Sequence, residues 1–239
     1  MLAENGERAA NVRFYCDYLF DEIPLRGKTM LDVGAGDGRY SFYAACLGAQ
    51  RVIGLEPEVE GSRTGMHERF ERARSLLGPQ TVDLEPTRLQ DYDPRGETFD
   101  VLLLHDSVNH LDEAACVRLR DDPTAREIYR VLFEKLARLS SPNGRLVVTD
   151  CSNENLFARL GVKNPVAPTI EWHKHQRPEL WAEMLADVGF RGPRIRWTSF
   201  NRLRSLGQEL LGNRLAAYCL TSHFCLTMRR SSELEARPG

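Results

Sequence analysis

The chain has 239 residues, 42% of them hydrophobic and 28% charged, which is the balance of a folded globule rather than a disordered chain and a length for one domain with at most a small cap. Its formal net charge of -2 supplies no general positive field to gather nucleic acid or an anionic membrane. No apolar run reaches the ~20 residues that cross a bilayer, the polar start is not a secretory leader, and six cysteines outside any CxxC spacing read as reduced thiols of a cytoplasmic protein without zinc.

Apolar positions Val12, Tyr15, Cys16 and Leu19 recur at helical spacing and predict an amphipathic helix over 8–20. Strands and helices then alternate. Residues 29–33 are a short apolar run stopped by glycines, 39–47 a helix closed by Gly48, and 51–55 a second strand. Met66, Phe70, Ala73 and Leu77 mark a helix, 81–84 a weak third strand, and 99–104 a strand apolar on both faces, as a central parallel strand is. Ile128, Val131, Leu132, Lys135 and Leu139 sit on the next helix, and Ser141-Pro142-Asn143-Gly144 turns into a fifth strand at 145–149. Residues 151–177 break the rhythm. A helix at 178–188 and strands at 194–198 and 224–228 follow, and 231–239 reads as a frayed tail.

This alternation predicts an α/β fold with helices on both faces of a mostly parallel sheet. Such sheets bind ligands beyond the carboxyl ends of their strands. After the first strand stands Asp32-Val33-Gly34-Ala35-Gly36-Asp37-Gly38. Glycines there let a ligand approach the backbone, and the following helix points its free N–H groups at the same place. The spacing G-x-G-x-G lacks the third glycine of the dinucleotide fingerprint G-x-G-x-x-G, which counts against NAD. The second strand ends at Glu56-Pro57, where a carboxylate can accept from both hydroxyls of an adenosine ribose.

Leu31-Asp32-Val33-Gly34-Ala35-Gly36-Asp37-Gly38 resembles motif I of the class I S-adenosylmethionine-dependent methyltransferases. Glu56 matches their ribose acid, residues 99–104 with Ser107-Val108-Asn109-His110-Leu111 resemble their fourth strand and its sequel, and 139–148 resembles the stretch around their fifth. The resemblance spans 27–150. It implies a seven-stranded sheet whose last strand is antiparallel, with S-adenosylmethionine as cofactor. It assigns Gly34, Ala35 and Gly36 to the methionine part, Asp32 to its amino group, Glu56 with Pro57 to the ribose, and Arg88 and Leu89 to the adenine side. His105 and Asp106 fall beside the methyl group.

Methyl transfer is an in-line displacement in which position and electrostatics do most of the work, and a hydroxyl acceptor calls for a base. Asp106, His110 and His173 are the candidate catalytic residues. No divalent metal is expected, because Cys151 stands where a catechol-type metal site would want an amide after Asp150. The expected organisation is an N-terminal helical cap over 1–26, a methyltransferase domain over 27–230 and a flexible tail. Within it, 151–177 is expected to cover the acceptor with Trp172 and His173 facing it. The expected reaction is methylation of O or N on a small molecule or glycan, with RNA methylation or non-catalytic cofactor binding as alternatives. The Arg-rich stretch 191–204 lacks interleaved aromatics, so nucleic acid is disfavoured as partner; a membrane is not expected, and a homodimer is compatible with the sequence.

Overall fold

The computed structural model describes residues 8–58, 65–78 and 81–232. The chain runs α1 (Ala9–Leu19), β1 (Thr29–Val33), α2 (Arg39–Cys46), β2 (Arg51–Leu55), α3 (Met66–Leu77), β3 (Val82–Glu85) and β4 (Phe99–His105). It continues through α4 (Glu113–Arg118), α5 (Pro123–Leu139), β5 (Ser140–Cys151), α6 (Leu156–Arg159), α7 (Pro178–Asp187), β6 (Phe190–Trp197), α8 (Arg204–Leu211), α9 (Arg214–Cys219) and β7 (His223–Arg230). The seven strands form one sheet in the order β3-β2-β1-β4-β5-β7-β6. β1 pairs parallel with β2 and β4, β2 with β3, and β4 with β5, whereas β7 runs antiparallel to both β5 and β6. This is the sheet the sequence predicts, with the last strand antiparallel.

Side chains alternate between the two faces of a strand, and both faces are covered here. Leu31, Ile53, Leu102, Leu104, Leu146 and Val148 pack with Phe133, Leu136, Trp181 and Leu185 from α5 and α7. Met30, Val52, Val101, Leu103 and Val147 pack with Leu19, Phe42 and Phe70 from α1, α2 and α3. The capping is legible locally: Asp122 accepts from the Thr124 N–H at 2.8 Å and Pro123 fills the first turn of α5, where a missing N–H costs nothing.

Three differences from the sequence reading bear on the site. α4, α8 and α9 are short helices that the apolar periodicity does not mark. β5 begins at Ser140 rather than 145, because the 140–144 segment continues the strand through an irregularity opposite Phe99 and Val101. At the far end Ser231 is tied down, its N–H and hydroxyl both donating to the Gly189 carbonyl at 3.0 and 2.9 Å; the rest of the expected tail, 233–239, lies outside the described residues. None of the six cysteines is in a disulfide. Among the described residues no helix is long and apolar enough to cross a membrane.

Candidate functional site

The loops meet where the strand order of the sheet reverses, between β1 and β4. Gly34 and Ala35 leave β1 by donating their N–H groups to the Leu55 carbonyl at 2.9 and 3.0 Å, which bends the loop over the end of β2. Gly34 has φ +79°, and a Cβ there would stand 2.7 Å from Cβ of Ser107. The Ser107 hydroxyl in turn donates to the Val33 carbonyl at 2.6 Å, so the β1 and β4 loops touch with no room for a side chain. Glu56, 5% exposed at the end of β2, accepts from Gly36 N–H at 2.9 Å and from Glu58 N–H at 3.1 Å. A carboxylate offers about four acceptor sites, enough to brace the loop and meet a vicinal diol together.

Asp32 lies beneath this loop. Its Oδ2 accepts from the Ser41 hydroxyl at 2.7 Å, while its buried Oδ1 has no hydrogen-bond partner. Burial pushes its pKa up to about 7, against the Ser41 hydrogen bond and helped by the charges of Glu56 and Asp37. A buried acceptor without a donor, beside this loop, is free to take a hydrogen bond from a bound ligand.

At the end of β4 a cavity of about 290 Å³ opens. Val12 and Tyr15 of α1, Arg39 and Tyr40 at the start of α2, and His105 and Asp106 form its inner walls. Residues 198–201, with Thr221 and His223, form the outer one. The Tyr15 hydroxyl and Nε2 of His105 are 3.0 Å apart, and the Tyr40 ring centroid lies 4.2 Å from that of the imidazole. Burial raises the Tyr15 pKa well above the ordinary phenol value, reinforced by Tyr40 and Asp106, so the phenol keeps its proton. Burial lowers the pKa of His105, against the pull of Asp106, so the imidazole is neutral near pH 7. With the carboxylate of Asp106 3.5 Å from Nδ1, the ring proton belongs on Nδ1, and Tyr15 donates to Nε2.

Asp106 is held in the left-handed region at φ +50°. Its N–H donates to the Thr149 carbonyl and hydroxyl oxygens at 3.0 and 3.2 Å, and the same hydroxyl donates its hydrogen to Oδ1 at 3.1 Å. Partial burial opposes ionisation of Asp106, but His105, His223, Thr149 and His175 together hold its carboxyl below the usual range. Its side chain is 43% exposed. An anionic residue kept in a strained conformation at a cavity wall is where function is expected to be stored.

The structure brings His105 and Asp106 together at the cavity, and places Asp32 at the end of β1, Gly34, Ala35 and Gly36 on the loop after it, and Glu56 with Pro57 after β2, where Glu56 meets Gly36. Leu89 is buried in the core and Arg88 is exposed. His110 and His173 are placed elsewhere. His110 pairs with Glu113 at the start of α4, outside the residues that line this cavity. Residues 172–174 form a single 3-10 turn, in which His173 is exposed. The turn is fastened to α4: the Cys116 thiol donates to the Lys174 carbonyl at 3.4 Å and Gln176 Nε2 to the Cys116 carbonyl at 2.7 Å. His175 Nδ1 reaches Asp150 Oδ1 at 2.8 Å; burial raises the Asp150 pKa and that carboxylate in turn raises His175, so the pair holds a proton between them. None of residues 151–177 lines the cavity. This cavity is walled by α1 and residues 198–201, while the end of the 151–177 segment is fastened to α4.

Tyr15, Tyr40, Asn201 and His223 line the cavity and are not among the residues the sequence reading singles out. α1 is clamped in place by its own end, where Asp21 lies 3.2 Å from Arg196 and Glu22 pairs with Arg194, while the Arg196 guanidinium sits 4.3 Å over the Tyr18 ring. The same pairs neutralise part of the Arg-rich stretch.

A family model described as a methyltransferase domain matches residues 7–210. The chain belongs to the methyltransferase-domain family. Over 76 residues this methyltransferase is 37% identical to the tRNA U34 carboxymethyltransferase of Marinobacter nauticus, covering 32% of this chain and 22% of that protein. Over 96 residues it is 34% identical to the ubiquinone biosynthesis O-methyltransferase of a Methylobacterium species, covering 40% of this chain and 36% of the other. The matched part thus spans between about a fifth and about a third of these relatives. The fold is shared with an S-adenosylmethionine dependent methyltransferase from Mesorhizobium loti, at a TM-score of 0.61 and 16% identity over 93% of this chain and 99% of that one. S-adenosylmethionine is the methyl donor such a methyltransferase uses, and the residues present fit it: Asp32 Oδ1 awaits a donor, and the closed glycine turn excludes side chains.

Proposed function

We propose that this methyltransferase moves a methyl group from S-adenosylmethionine to an oxygen or nitrogen of a small-molecule or glycan acceptor seated in the cavity at the end of β4. The observation that carries the reading is the chain Tyr15–His105–Asp106 facing a cavity of about 290 Å³, the lower end of the volume small ligands occupy. The cofactor, when bound, supplies an electrophilic methyl group on a sulfonium.

The protein's part is to hold and deprotonate. Glu56 and the Gly34–Gly36 loop take the nucleoside side, with Asp32 answering the amino group. Tyr40 and Tyr15 give the acceptor two ring faces. The acceptor's proton goes to the Tyr15 oxygen as Tyr15 passes its own to Nε2 of His105, and Asp106 stabilises the imidazolium that results. Val12 and Tyr15 of α1 thereby build one wall of the acceptor site, ahead of the domain proper from 27 to 230. RNA as acceptor has less support, since Arg194 and Arg196 are paired with Glu22 and Asp21 just beyond α1.

Labelled S-adenosylmethionine incubated with cell extract and the enzyme, then separated into small-molecule, glycan and RNA fractions, tests the reading. Label in the small-molecule or glycan fraction, lost with His105→Ala, supports it. Label in RNA alone, or none anywhere while the cofactor product binds, overturns it.

A further inference from the structure

Beside the cavity cover four leucines stand in water: Leu203 is 45% exposed, Leu206 61%, Leu210 63% and Leu215 74%. Isolated exposed leucines are ordinary, but these fall within one short stretch, and together they expose the equivalent of more than two whole leucines. Leu206 and Leu210 are one turn apart on α8, and Leu215 opens α9 after the Gly212-Asn213 turn. α8 is fixed through Gly207 and Gln208. Gly207 is buried, a Cβ there would stand 2.8 Å from the Ser199 hydroxyl, and Gln208 Nε2 donates to the Trp197 carbonyl at 2.8 Å. The segment it grips continues into Phe200 and Asn201 of the cavity wall. Arg202 and Arg204 flank the leucines, are exposed and make no ion pair among the described residues, whereas Arg214 is held by Glu154 and Glu179 at 3.1 Å each.

We propose that Leu203, Leu206, Leu210 and Leu215, rimmed by Arg202 and Arg204, dock the enzyme on the surface of an anionic lipid bilayer. Aliphatic side chains with unpaired guanidiniums at their edge match the boundary between acyl chains and anionic headgroups. A second copy is the poorer partner: a two-fold contact sets a patch against itself and would bring the two arginines near their own copies, with Glu209 the one acid on α8 to meet them. The net charge of -2 does not oppose docking, because the attraction acts within a Debye length of roughly 8 Å. The sequence alone assigns no membrane partner; Leu206 and Leu210 come one turn apart, and Leu203 and Leu215 lie at either end of them, only once α8 and α9 are folded. Docking places the cavity cover at the lipid surface, and it stands apart from the methyl-transfer reading, since cofactor binding and vesicle binding can fail separately.

Flotation with phosphatidylcholine vesicles, with and without phosphatidylglycerol, tests it on the full chain. The expected result is binding to the anionic vesicles that weakens as salt rises. It should fall at least tenfold in the double variant Leu206→Ser/Leu210→Ser and several-fold in Arg202→Gln/Arg204→Gln, with S-adenosylhomocysteine affinity and melting temperature unchanged. No binding to anionic vesicles, binding indifferent to the leucine pair, or a dimer in light scattering that the leucine variants dissolve would overturn the proposal. Hydrogen exchange on the unmodified enzyme guards against a misfolded variant: residues 203–215 should gain protection when anionic vesicles are added, and no gain there contradicts docking.

Discussion

Replacing Asp32 by asparagine removes a buried carboxylate and keeps the outline of the side chain. In the folded protein this group ionises at about 7 against an ordinary 3.8, burial being the main cause. Between those values the folded chain keeps a proton that the unfolded chain has released, so raising the pH across the window destabilises the fold. At about 1.4 kcal/mol per unit the full penalty is about 4 kcal/mol above pH 8. Asparagine does not titrate, and at every pH it leaves a buried amide N–H₂ where Oδ1 stood, at a cost of about 1–3 kcal/mol. Asp32→Asn should therefore be less stable than the parent near pH 4.5 and more stable near pH 8.5, with a swing of about 3 kcal/mol between them that packing does not enter. Urea unfolding of cofactor-free protein at a series of pH values reads it. In calorimetry, S-adenosylhomocysteine should bind the parent near pH 6.5 with release of a proton, as its ammonium group favours the ionised carboxylate, and bind the variant at least tenfold more weakly without release. A stability difference that is flat from pH 4.5 to 8.5 would refute the reasoning.

Gly34→Ala should destabilise by about 1–3 kcal/mol through overpacking against Ser107 and weaken S-adenosylhomocysteine binding; a melt and a titration both at parental values would contradict the tight loop. Tyr15→Phe should leave that affinity intact and slow transfer roughly 10–100-fold, the scale of lost acid–base catalysis; an unaltered rate would remove Tyr15 from the proton path. Trp172→Ala should lower the melting temperature while the folded fraction keeps its acceptor kinetics, and His173→Ala should change neither; slowed transfer in His173→Ala would return 151–177 to the acceptor site. Transfer should proceed equally in EDTA, because Asp106 is engaged by Thr149 and Asp150 by His175; loss on chelation with recovery on magnesium would show otherwise.

The candidate cofactor residues could be named from the sequence because their signals are local. Gly34, Gly36 and Glu56 lie one turn beyond strands whose two-sided apolar runs mark them as central, and motif order along the chain carries the rest. The acceptor side was not legible in this way, because its contacts are long-range. Tyr15 and His105 are 90 residues apart, and nothing in the periodicity of α1 says which of its tyrosines faces the sheet ends. The length and aromatic content of 151–177 suggested a cover, but whether such a segment lies over a cavity or on a neighbouring helix is decided by partners such as Cys116 and Gln176, which have no signature in sequence. α8 escaped for a related reason: its leucines face out, so they form no inward stripe against the core.

A structure of the enzyme with S-adenosylhomocysteine bound would probe the central claim most directly. The account predicts the ribose on Glu56, the amino group on Asp32 and the sulfur opening into the cavity between Tyr40 and His105. A product bound away from Glu56, or one whose sulfur faces away from His105 and Tyr15, would contradict it.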